Sequence, residues 1–113
     1  MPAHDLTPRE AALKAAGLSH AAWDALDKCA QPGGHQVGQY AYLSRPTALA
    51  LARRNLVEIG RRTMSRGRSC VWGNVTPAGR DLLMKVRADA DAESERRAHD
   101  RARILALRAP VQP

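Results

Sequence analysis

The amino-acid sequence predicts a small α+β domain, mostly helical, with one β-hairpin. Three observations point there. A hydroxyl residue followed closely by proline occurs at Thr7-Pro8, Ser44-Arg45-Pro46 and Thr76-Pro77, each just ahead of apolar residues at helical spacing. Ser and Thr cap helix N-termini, and proline suits the first turn because the N–H it lacks would have no partner there. Between the second and third of these starts, the apolar period shortens towards two in Leu56-Val57-Glu58-Ile59, with a second extended run from Cys70 to Val75 and Gly67 between them. That is the pattern of two strands joined by a turn. Finally, a tract rich in Ala, Asp, Glu and Arg follows Val86, with high helix propensity and few large apolar side chains.

Taken in order, Thr7 caps a first helix, Glu10 completes a capping box with it, and Gly17 ends it after Ala16. Ser19 opens a second helix whose apolar side carries Ala22, Trp23, Leu26 and Cys29 or Ala30. Pro32-Gly33-Gly34 stops it. From His35 to Leu43 two readings stand: Val37, Tyr40 and Leu43 suit a short helix, and Tyr40-Ala41-Tyr42 suits an extended segment. A third helix spans residues 46–55, with Ala48, Leu49, Ala52 and Leu56 as its buried stripe. Asn55 tolerates the left-handed conformation that closes a helix. Gly60 is expected to mark a bulge in the first strand. Thr76-Pro77-Ala78-Gly79 begins the last helix, which carries Leu82, Leu83 and Val86. Ile104, Leu105 and Leu107 return at its far end, where the helix either packs on a second subunit or frays.

A chain of 113 residues suits one modest core. With two Trp, two Tyr and no Phe, that core is built of Leu, Val and Ala. No apolar run exceeds five residues, against the roughly 20 a membrane span needs. His4, Asp5, Thr7, Arg9 and Glu10 interrupt the opening residues, which do not read as a secretory leader. The expectation is a cytoplasmic protein.

The net charge is +7, and fifteen of the eighteen basic residues are arginine. Between Ser44 and Arg80 lie eight arginines against Glu58 alone, while the flanks carry ten basic and ten acidic residues and cancel. One third of the chain therefore holds the whole excess, as expected where one face meets a polyanion. The plainer reading is a solvated basic surface with no partner.

Helix, helix, basic helix, hairpin, helix is the order of a winged helix-turn-helix domain. The segment Leu49-Ala50-Leu51-Ala52-Arg53-Arg54-Asn55-Leu56-Val57-Glu58 resembles the end of a recognition helix entering a wing, with Asn55 where many bacterial winged-helix regulators have Gly. Val75-Thr76-Pro77-Ala78-Gly79-Arg80-Asp81-Leu82-Leu83 resembles the segment that closes the wing in MarR-like and related families. The resemblance covers residues 44–83 by motif and residues 7–43 by element order. With the winged-helix domain placed over residues 1–87, the chain itself leaves residues 88–109 as a helical extension that is a candidate for dimerisation, and Pro110 and Pro113 leave a disordered tail over 110–113. The resemblance implies that helix 46–55 enters the major groove of duplex DNA while a basic wing, residues 61–70, reaches the backbone or minor groove. Ser44, Arg45 and Thr47 are then expected at bases or nearby phosphates, and Arg61, Arg62, Arg66 and Arg68 at phosphates. Arg53 and Arg54 are either DNA contacts or solvated cations favoured by a helix C-terminus. Ile104, Leu105 and Leu107 are the expected contacts of a homodimer.

Other functions find less support. The four histidines and two cysteines show no metal-ligand spacing, and no cofactor is called for. Cys29 reads as a small core residue, and Cys70, next to a basic turn, as a strand-edge residue or a redox-sensitive thiol. No nucleophile, base and phosphate loop converge in the pattern of an enzyme. Two rivals remain: a small phage-type winged-helix inhibitor or adaptor, such as an anti-CRISPR or anti-restriction factor acting by protein contact, and an RNA-binding winged helix. A protein interface would centre on aromatic anchors, of which only Tyr40 and Tyr42 cluster near the basic region.

Overall fold

A computed structural model describes residues 6–38, 43–64 and 66–108. Its elements run α1 (Pro8–Ala16), α2 (His20–Cys29), β1 (His35–Val37), α3 (Arg45–Arg53), β2 (Val57–Thr63), β3 (Ser69–Val75) and α4 (Pro77–Arg108). This is the expected α+β arrangement of three helices, a β-hairpin wing and a long C-terminal helix, with one strand more than the sequence predicts.

The helix boundaries follow from local chemistry. The Thr7 hydroxyl accepts from the Glu10 N–H at 3.1 Å, and the Glu10 carboxylate accepts from the Thr7 N–H at 3.3 Å, closing the capping box. These bonds from Thr7 also hold the Glu10 carboxyl below its ordinary pKa. At the other end Gly17 takes φ +70°, so the Leu18 N–H reaches the Leu13 carbonyl and turns Leu18 into the core. Ser19 then caps α2 through the Ala22 N–H. The end of α3 repeats the device with Asn55 at φ +61°: the Asn55 N–H donates to Ala52 and the Leu56 N–H to Leu51.

The sheet has the order β1-β3-β2, antiparallel throughout. β1 resolves part of the ambiguity after the second helix in favour of an extended chain, with His35 opposite Gly73 and Val37 opposite Val71. Residues 39–42, including Tyr40 and Tyr42, lie outside the described residues. The bulge expected at Gly60 does not form. Gly60 sits opposite Trp72 in a register running unbroken from Val57↔Val75 to Thr63↔Ser69, leaving no extra residue to accommodate.

Leu13, Leu26, Leu43, Leu51, Leu83 and Val86 anchor the core, each at most 2% exposed. The expected stripe on α3 needs correction. Ala48 and Leu51 are buried there, whereas Leu49 is 43% exposed. Each residue turns the helix about 100°, so Leu49 points well away from a core face centred between Ala48 and Leu51. α1 packs along α4, which runs without a break from Pro77 to Arg108 through the expected boundary between residues 87 and 88. Its last residues, 101–108, are all exposed. Among the described residues no helix is long and apolar enough to cross a membrane.

Candidate nucleic-acid interface

α3 and the wing are held as one surface by backbone closure beneath them. The Thr76 N–H donates to the Leu56 carbonyl at 3.1 Å, joining the start of α4 to the residue that follows the α3 turn. Gly79 is required close by, since a Cβ there would overlap the Leu56 carbonyl oxygen. At the wing tip, the Met64 N–H donates to the Arg68 carbonyl at 2.7 Å and the Gly67 N–H to the Met64 carbonyl at 3.1 Å. Gly67 and Arg66 there take φ +73° and +85°. Glycine adopts that region without steric cost, which accounts for Gly67, whereas a left-handed arginine is uncommon and Arg66 is strained there.

The predicted site residues divide into two sets. Arg45 and Arg53 on α3, and Arg61, Arg66 and Arg68 on the wing, are exposed, and their guanidinium groups make no hydrogen bond or ion pair with described residues. Arg45 and Arg61 stand on opposite walls of one cleft of about 340 Å³ between α3 and the sheet, with Leu49, Ile59, Gly60 and Val71 in its lining. This cleft brings the helix and the wing to a common face.

Arg54, Arg62, Ser44 and Thr47 are already engaged within the fold. Arg54 donates to the carbonyls of Ala16 and Gly17, both at 3.0 Å, and so caps the C-terminus of α1. Arg62 lies over the Trp72 ring, 4.2 Å from its centroid, and donates to the Gly33 carbonyl at 3.0 Å. Trp72 Nε1 donates to that same oxygen at 2.6 Å, so the turn after α2 and the wing share one acceptor. The Ser44 hydroxyl caps α3 by accepting from the Thr47 N–H at 3.4 Å and donates to the Thr47 hydroxyl at 2.8 Å. The Thr47 hydroxyl, which accepts from Ser44, donates to no described residue.

Two features escaped the sequence pattern. Leu49 is an exposed apolar residue on a basic surface, because α3 buries its Ala48 and Leu51 side rather than the Leu49 and Ala52 side that the spacing equally allows. The Arg62–Trp72–Gly33 cluster joins segments 29 and 39 residues apart and carries no local signal. The thiols also differ: Cys29 is buried, which pushes its pKa up to about 11, whereas Cys70 is half-buried in β3. Among the described residues no group of His, Cys, Asp or Glu is arranged to hold a metal ion.

Four helices and a three-stranded antiparallel sheet, with α3 packed beside its projecting hairpin, define a winged helix-turn-helix fold. The chain is similar in structure to a MarR-family transcriptional regulator from Silicibacter pomeroyi, with a TM-score of 0.54 and 19% sequence identity over 94% of this chain and 83% of that one. At that identity the likeness is one of fold. No family model matches the chain, and no curated protein shows significant sequence similarity to it.

Proposed function

We propose that the chain is a DNA-binding transcriptional regulator that sets α3 in the major groove of a duplex and its wing on the adjacent backbone or minor groove. The observation that carries this reading is the cleft between α3 and the sheet, where Arg45 from the helix and Arg61 from the wing strand face a common space. Arg53, Arg66 and Arg68 extend the same unneutralised charge along the helix and to the wing tip. Such a surface matches a phosphate lattice on both sides of a groove. Arg45 and Thr47, at the start of α3, are the residues placed for base edges or nearby phosphates, with Ser44 beside them as the cap. Arg61, Arg66 and Arg68 take phosphates.

The active species in this reading is a homodimer. Ile104, Leu105 and Leu107 are 45%, 69% and 79% exposed at the end of a 32-residue helix, and a two-fold partner would cover them. Light scattering is expected to give twice the chain mass, and a monomer at working concentration would remove the dimer.

The deciding experiment is fluorescence anisotropy on the duplex upstream of the chain's own gene and on a scrambled duplex of equal length, across a salt series. A preference on the order of 10³ that persists as salt rises is expected of a sequence-specific regulator. Equal, salt-labile binding to both would leave only a basic surface.

A further inference from the structure

We infer that α3 reads thymine methyl groups, with Leu49 as the specificity-determining residue. This rests on the DNA-binding reading above and names what that surface selects. The exposed side of α3 consists of Arg45, Pro46, Leu49, Ala50 and Arg53. Arg45, Leu49 and Arg53 follow one another at four-residue intervals along one row, and Pro46 and Ala50 form the neighbouring row. On that exposed side no side chain between the two arginines is able to donate or accept a hydrogen bond, Thr47 being half-buried on another side of the helix. The nearby hydroxyls of Ser44 and Thr47 sit at the helix start, bonded to each other.

A leucine 43% exposed on such a helix has no role in the core, which Ala48 and Leu51 already serve. It also lines the cleft that Arg45 and Arg61 flank, so cations surround an apolar centre. The charge on both sides of that centre selects a polyanion as the occupant. On a duplex, the group in the major groove that an apolar side chain can recognise is the C5 methyl of thymine, since the other base-edge features are hydrogen-bond donors and acceptors. Cytosine differs at the same position by lacking the methyl group. A face of this composition discriminates by burying that methyl, and the flanking arginines fix the register through guanine or phosphate.

The test starts from a randomised duplex pool enriched by binding to the full-length chain. The selected duplex is then made again with deoxyuridine for deoxythymidine at each position in turn, which removes one methyl and leaves base pairing intact. Burying one such group is worth ~0.8 kcal/mol, so affinity for the wild-type chain is expected to fall about fourfold at one or two positions per half-site. Leu49→Ala is expected to bind the thymine and uracil duplexes equally. Replacing cytosine by 5-methylcytosine elsewhere in the site supplies the same methyl and reports whether its position matters. A selected sequence whose affinity is unchanged by every uracil substitution overturns the methyl reading while leaving DNA binding standing. A pool that yields no enriched sequence overturns the DNA-binding reading and this inference with it. Equal sensitivity of wild type and Leu49→Ala to uracil moves the contact off Leu49 and overturns its assignment.

Discussion

The Thr76 hydroxyl donates to the Asn55 carbonyl at 2.7 Å while accepting from the Gly79 N–H at 3.0 Å. One buried side chain, 6% exposed, therefore caps α4 and holds the left-handed turn that ends α3. The helix that faces DNA in our proposal is positioned from behind by the residue that caps the C-terminal helix.

Thr76→Ala should accordingly lose a cap and leave the Asn55 carbonyl without that donor. Each loss is worth ~1 kcal/mol, so a destabilisation of about 2 kcal/mol is expected in a urea titration. Thr76→Ser keeps the hydroxyl and should stay close to wild type. A wild-type midpoint for Thr76→Ala would show that the bridge contributes nothing.

The wing arginines should separate into structural and binding residues. Arg62→Ala removes the stacking on Trp72 and one bond to Gly33, with an expected cost of ~1 kcal/mol, altered Trp72 fluorescence and an unchanged salt slope of DNA binding. Replacing Arg66 and Arg68 together by Ala should leave stability alone and flatten the slope of log affinity against log salt by about two units, since each phosphate contact contributes ~0.9. The opposite assignment of effects would exchange the roles.

The two thiols should react on different scales. Cys29 is 1% exposed and its thiol is held near pKa 11 by burial, so at pH 8 it is almost wholly protonated as well as inaccessible. Titration of the native chain with a disulfide reagent should show one reactive thiol, Cys70, and two after unfolding in urea. Two fast thiols in the native chain would mean that the core around α2 opens readily.

Acid should weaken the middle of α4. Hydrogen bonds from Arg96 and then Arg97 lower the Glu93 pKa to about 2 from an ordinary 4.5. Because the folded value is the lower one, the stabilising effect is present above about pH 4.5 and is lost as pH falls towards 2. Solvent screens these contacts, so the change should be smaller than that of Thr76→Ala. Thermal melts of the wild type between pH 5 and 2 should shift more steeply than those of Glu93→Gln, and identical slopes would remove the network from the stability of α4.

Most of the fold was legible along the chain because its punctuation is local. Thr7 with Glu10, Ser19 with Ala22, Gly17 and Asn55 each act within a few residues, so helix starts and stops can be read without knowing what packs where. The hairpin was legible for the same reason, through Gly67 and the shortened apolar period. The third strand was not, because His35–Val37 is too short to show a period and becomes a strand only by pairing with β3.

The basic surface divides along the same line. Composition and position placed the arginine excess between Ser44 and Arg80, a property of the chain alone. Which of those guanidinium groups remain available was decided by segments 29 to 38 residues away, where the Gly33, Ala16 and Gly17 carbonyls draw in Arg62 and Arg54. Leu49 belongs with them: it is apolar in sequence, and its exposure follows from the rotation at which α3 packs its Ala48 and Leu51 side on the core. Capping and turn formation are fixed by neighbours on the chain, whereas the partner of a long side chain is fixed by what the folded backbone brings within its reach.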